Sequence, residues 1–178
     1  LIRIPSISAH PERKGDIERC AVRWKELLTE AGAKNVEVIP SEGNPFVYGE
    51  KIVDPSAPTV LVYGHYDVMP AEPLELWHSN PFEPEIRDGH IWARGADDDK
   101  GQSFTQVKAF EYLVKHDLLR HNVKFILEGE EEIGSPSLVG FLEAHRELLR
   151  CDIILVSDTS MLAANLPSLT TGLRGLAY

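Results

Sequence analysis

The chain has 178 residues, 43% hydrophobic and 26% charged, which allows one sizeable core and leaves little for a second. A formal net charge of -10 argues against nucleic acid and anionic membrane surfaces as partners; it suits divalent cations, although solubility explains much of it. The two cysteines, Cys20 and Cys151, are far apart and in no Cys-x-x-Cys motif, so they read as reduced, packed thiols of a cytoplasmic protein.

No apolar run approaches the ~20 residues that cross a bilayer, and no signal-peptide pattern is present. The chain starts at Leu1 without an initiator Met and reads as a piece that begins after its own N-terminus. From Lys14 to Ala31, residues Ile17, Cys20, Ala21, Trp24, Leu27, Leu28 and Ala31 recur at helical spacing, and Gly32 follows as a stop. Val36–Ile39 and Pro45–Tyr48 read as short strands, with a turn at Asp54–Pro58. Thr59–Tyr63 is an unbroken apolar run between Pro58 and Gly64, the pattern of a strand buried on both faces. Met69–Arg94, rich in Pro, Glu, His and Trp, reads as a long functional loop with a short strand at Gly89–Ala93.

A helix is predicted after Gly101, with Phe104, Val107, Phe110, Leu113 and Val114 on one face, then a strand at Val123–Leu127. Ser137–Leu149 reads as another helix and Asp152–Val156 as another buried strand, while Leu169–Tyr178 looks like a strand that opens something new. The alternation of strands and helices predicts an α/β fold, a three-layer sandwich with a largely parallel central sheet and helices on both faces. Ligands of such sheets gather at the carboxyl ends of the strands. Four polar clusters stand at such ends.

In Gly64–Val68, residues i and i+2 of an extended chain share a side, so Asp67 can hold the ring of His65 and free its other nitrogen for a metal. Alone, the pair is weak and more often marks a structural histidine. Asp97–Asp98–Asp99 stands between a strand and a helix, where it is either a solvated capping turn or a metal-bridging carboxylate. Glu128–Ser135 follows a buried strand and could be merely a solvated edge, and Asp158 alone could be a turn residue. Their joint occurrence at matching strand ends favours a hydrolytic centre of two metal ions bridged by a carboxylate and a water. The ions would neutralise its acidic groups.

Gly64–Val68, Arg94–Gly101 and Gly129–Ser135, in that order, resemble the M20 family of metallopeptidases, which includes carnosinase-like dipeptidases, carboxypeptidases and N-acyl amino acid deacylases. Trp77–Pro84 resembles that family's substrate-side loop, and the likeness runs through nearly the whole chain. The resemblance implies that His65 is a terminal ligand of one metal, supported by Asp67, and that Asp98 bridges two metals and is followed by a cis peptide to Asp99. It further implies that Glu131 is the general base, that Glu132 binds the other metal and that Asp158 completes the shell of the His65 metal. Asp at this last position tilts the choice toward a dipeptidase. The expected cofactors are two divalent ions, zinc foremost with manganese or cobalt as alternatives; the expected substrate is a small peptide.

By the same resemblance, residues 1–168 are the N-terminal part of a catalytic domain and residues 169–178 the start of a lid through which a homodimer forms. A second histidine ligand lies farther downstream in the family, so the chain ending at Tyr178 is expected to bind metal incompletely and to have little activity. His10, His78, His90, His116, His121 and His145 match no ligand position. Two other readings are an N-acyl amino acid deacylase with the same residues and a non-catalytic binding module, against which the general base argues. A nucleotide-binding protein would need a Gly-x-x-x-x-Gly-Lys-Ser/Thr loop that this chain lacks.

Overall fold

The structure, a computed structural model, describes residues 1–163, 165–172 and 174–175. The predicted first helix forms as α1 (Lys14–Glu30), burying Ile17, Cys20, Ala21, Trp24, Leu27 and Leu28 on one stripe, and the chain turns at Gly32 with φ +100°. Strands β1 (Lys34–Ile39), β2 (Phe46–Lys51) and β3 (Thr59–His65) follow. Met69–Arg94 is the expected long connection, containing a small hairpin of β4 (Glu85–Arg87) and β5 (His90–Trp92). It closes on itself: Trp77 donates to the Ala71 carbonyl at 2.8 Å, and Arg94 stacks over the Trp77 ring and donates to the Pro70 carbonyl at 3.0 Å. Then come α2 (Lys100–Lys115), β6 (Asn122–Glu128), α3 (Leu138–Ala144) and β7 (Ile153–Val156).

The main sheet has the order β1-β2-β6-β3-β7. Strands β6, β3 and β7 are parallel, as predicted, and β1 and β2 extend that centre with antiparallel pairing. Side chains alternate across the sheet and divide its core in two. Val47, Val62, Phe125 and Leu127 pack with α1 and with Val107 and Phe110 of α2. Phe46, Tyr48, Leu61 and Ile126 pack on the opposite face with Phe141 of α3 and Leu149. Three layers result, with helices on both sheet faces.

Two expectations change. The helix predicted over Ser137–Leu149 ends at Ala144 and continues as turns, where His145 leaves the helical region (φ −116°, ψ 24°); the Lys124 ammonium bonds the carbonyls of Leu148 and Arg150 beyond it at 2.6 and 2.9 Å. Strand β7, predicted as buried, pairs only with β3 at the sheet edge and leaves Ile153, Ile154 and Val156 exposed. Of its apolar run, Leu155 alone packs against the core among the described residues. Leu169–Gly172, Arg174 and Gly175 form no strand, and the rest of the strand expected to open there (Leu173, Leu176, Ala177 and Tyr178) lies outside the described residues.

The far-side layer hangs on few side chains. Phe141 is 5% exposed and stacks on Phe46 at 3.9 Å. Phe141→Ala should destabilise the chain by about 3–5 kcal/mol, read as a lower urea midpoint with an unchanged slope.

Candidate metal centre

Strand β3 ends at His65, whose register partner on β6 is Glu128, so the acidic segment after β6 rises beside the histidine. Strand β7 flanks β3 on its other side and leads two residues later to Asp158. The start of α2 brings up the third arm. The approach is close: a Cβ on Gly64 would lie 2.0 Å from the Ser103 hydroxyl of α2, so only glycine fits there.

Of the three consecutive aspartates, Asp98 faces the centre: its Oδ1 is 3.1 Å from Nε2 of His65. Asp99 turns the other way and accepts from the His65 backbone N–H at 3.0 Å and the Ser103 hydroxyl at 2.6 Å. It therefore braces the histidine from behind instead of capping the helix. The peptide between Asp98 and Asp99 is cis, as the resemblance implies. Asp158 Oδ2 lies 3.6 Å and Glu131 Oε2 3.9 Å from the same imidazole nitrogen. Ligand-type atoms of His65, Asp98 and Asp158 all fall within 4.8 Å of one another, the one such trio among the described residues. A borderline nitrogen with two hard carboxylate oxygens is a donor set suited to zinc or manganese.

Asp67 does more than the sequence suggested. Its Oδ1 is 3.3 Å from His65 Nδ1, as expected for the group that fixes the ring. The same carboxylate accepts the backbone N–H groups of Glu131 and Glu132 at 3.2 and 3.1 Å. One buried aspartate thus holds both the histidine and the turn carrying the two glutamates. Glu132 stands outside the trio, and its Oε1 accepts from the Met69 N–H at 3.1 Å.

The Glu-rich segment is no solvated edge. Glu128 is fully buried and accepts from the hydroxyls of Tyr63 and Ser135 at 2.5 and 3.0 Å. Glu130, 4% exposed, accepts the N–H groups of Asn44 and Ser137 at 2.9 and 3.2 Å. These inward acids pin the backbone, which leaves Glu131 and Glu132 half-buried at the centre. The scaffolding roles of Asp99, Glu128 and Glu130 escaped the sequence reading; the only signal was an excess of acids over the needed ligands. His78 is exposed on the long connection, where it lines a cleft of about 370 Å³ with Trp77, Arg87 and Trp92; neither this cleft nor the cavity of about 650 Å³ lined by Leu1, Leu27, Lys100 and Phe104 contains any of the trio.

The centre carries excess negative charge. Burial alone would lower the pKa of the His65 imidazole, but the hydrogen bond and charge of Asp67, with Asp99 and Glu131, outweigh it and raise it from 6.5 to about 10. Burial, then the charge of Asp98, lifts Glu132 to about 6; burial lifts Asp99 to about 6 against its hydrogen bonds, and Glu131 is also raised, chiefly by burial.

Residues 61–169 match peptidase family M20/M25/M40. The chain belongs to this family. It is 36% identical to the cysteinylglycine-S-conjugate dipeptidase of Corynebacterium striatum, over 98% of this chain and 39% of that protein. An M20 family metallo-carboxypeptidase from Sulfolobus solfataricus superposes with a TM-score of 0.84 at 35% identity, covering 90% of this chain and 36% of that one. Human carnosine dipeptidase 1 superposes with a TM-score of 0.81 at 28% identity, covering 89% and 36%. The chain spans between 20% and 40% of the length of the first curated relatives it matches. M20 metallopeptidases use divalent metals, which the donor set here fits. No helix among the described residues is long and apolar enough to cross a membrane.

The raised pKa values fix how stability without metal depends on pH. Asp99, Glu132 and His65 all hold protons more tightly folded than unfolded, so their contribution is complete below the unfolded values and is lost as pH rises through the folded ones. The windows are about pH 4–6 for the two acids and 6.5–10 for His65. In chelator, the melting temperature should fall between pH 7 and 9, by less in His65→Gln, and added Zn²⁺ should raise it most at pH 9. An equal fall in both proteins would show that His65 does not bear this charge.

Proposed function

We propose that this chain is the metal-binding part of a peptidase that hydrolyses the amide bond of dipeptides or other short peptides. One observation carries the reading: His65, Asp98 and Asp158, from three separate segments, bring ligand-type atoms within 4.8 Å of one another, with Glu131 at 3.9 Å from the same imidazole nitrogen. His65 and Asp158 would hold one divalent ion, Asp98 would be shared, and Glu132 would serve a second ion, with zinc the favoured metal. Bound ions of this kind supply polarisation of the amide carbonyl and a water of lowered pKa.

The remaining work falls to the chain's own groups. Glu131 is half-buried and has a raised pKa, two properties of a carboxylate that takes a proton from water and returns it to the leaving nitrogen. Asp67 fixes the tautomer of His65 and aims Glu131 through its backbone N–H. The dipeptidase named among the relatives supports a small-peptide substrate class. Their greater length supports reading residues 1–168 as one part of a catalytic domain and residues 169–178 as the start of a second, dimer-forming domain.

The test is made on the full-length polypeptide that carries this chain. Glu131→Gln should lower turnover of dipeptides by about 10²–10⁴-fold while metal content by elemental analysis stays at the wild-type value. Loss of metal in that variant would make Glu131 a ligand instead. A panel of dipeptides and N-acyl amino acids reads the substrate class; faster hydrolysis of the N-acyl compounds would sink the dipeptidase reading.

A further inference from the structure

The pairing of β3 with β7 ends at Tyr63 and Val156, so Ser157–Thr159, which carries Asp158, lies beyond the sheet ladder. Something else must hold it. Gln102, half-buried in the first turn of α2 and four residues after Asp98, has its side-chain amide against this segment. With the amide turned so that donors meet acceptors, its nitrogen donates to the carbonyl of Ser157 and to that of Thr159 at 3.1 Å. Turned the other way, its oxygen accepts the Thr159 N–H at 3.3 Å. Only the first orientation pairs donors with acceptors, because in the second the amide oxygen faces the two carbonyls; no other side chain among the described residues hydrogen-bonds Ser157 or Thr159.

We infer that Gln102 is a positioning residue that ties the Asp158 arm to the helix start bearing Asp98, and so tunes metal affinity. The inference rests on the metal-centre reading above. The first turn of α2 already fixes Asp98 by sequence proximity and His65 through the Asp99 carboxylate. Through Gln102 the same turn reaches the third member of the trio. Without this tie, Asp158 would swing on an unpaired strand end, and each metal-binding event would have to immobilise it.

The experiment uses Gln102→Met, which keeps the side chain's length and removes its hydrogen bonds, in the full-length polypeptide, with Asp158→Ala as control. Metal is stripped and Zn²⁺ titrated back against a chromophoric chelator; the melting temperature of the metal-free protein is read in parallel. Gln102→Met should weaken Zn²⁺ binding by roughly tenfold, with the metal-free melting temperature unchanged. Wild-type affinity in Gln102→Met beside weakened binding in Asp158→Ala would overturn the inference alone. An affinity loss matched by a lower metal-free melting temperature would also overturn it, leaving a merely structural hydrogen bond. Wild-type affinity in Asp158→Ala would overturn the metal reading and this inference with it.

Discussion

Asp67, Asp98, Glu131 and Asp158 come within 3.1–3.9 Å of one buried imidazole, with Asp99 and Glu132 close behind them, and that unbalanced charge is the constraint from which the rest of the structure follows. Asp67, Asp98, Asp99, Glu131, Glu132 and Asp158 come from four segments of the chain, and His65 is the cationic candidate they share. Like charges at such spacing repel strongly wherever water is thinned, and relief comes from protons or from metal ions. The raised pKa of His65 is the proton form of that relief, while Glu132 and Asp99 are lifted first by burial and only then by neighbouring carboxylates. A divalent cation, of the kind M20 metallopeptidases use, would supply the same relief.

Holding such a cluster together requires a scaffold that does not yield. Parallel strands supply it, because their carboxyl ends lie along one edge and point their continuing loops the same way. β3 delivers His65 and Asp67, β6 the glutamates, and β7 Asp158, while α2 presents Asp98 from above. Buried acids then lock the loops: Asp67 to the Glu131–Glu132 turn, Asp99 to the backbone of His65, Glu130 to the Asn44 loop. Each such acid accepts from backbone N–H groups that would otherwise be left unsatisfied, so fixing the site and satisfying the buried backbone are one operation.

Much of this was legible in the sequence, for identifiable reasons. Periodicity located α1, β3 and β6 because a helix or strand buried on one stripe or both faces leaves a local pattern. Chemical type marked the four clusters, each of which alone had an ordinary structural use, and their order in the chain, through the family resemblance, singled out the candidate ligands. The differences came where the local pattern is silent: β7 has the composition of a buried strand yet sits exposed at the edge, because burial is settled by what packs over it, and the helix after Ser137 stops at Ala144, where His145 leaves helical geometry.

The sequence by itself determined the fold class, the order of the four motifs and the chemistry they can support, because these depend on residue types and short spacings. Only the tertiary structure decided that Asp99 braces His65 from behind, that Asp67 holds both the histidine and the glutamate turn, and that Gln102 reaches the segment carrying Asp158. Neighbouring side chains differ in direction by rotations about single bonds, and the contacts that select those rotations come from residues far along the chain, 34 positions for Asp99 with His65 and 64 for Asp67 with Glu131.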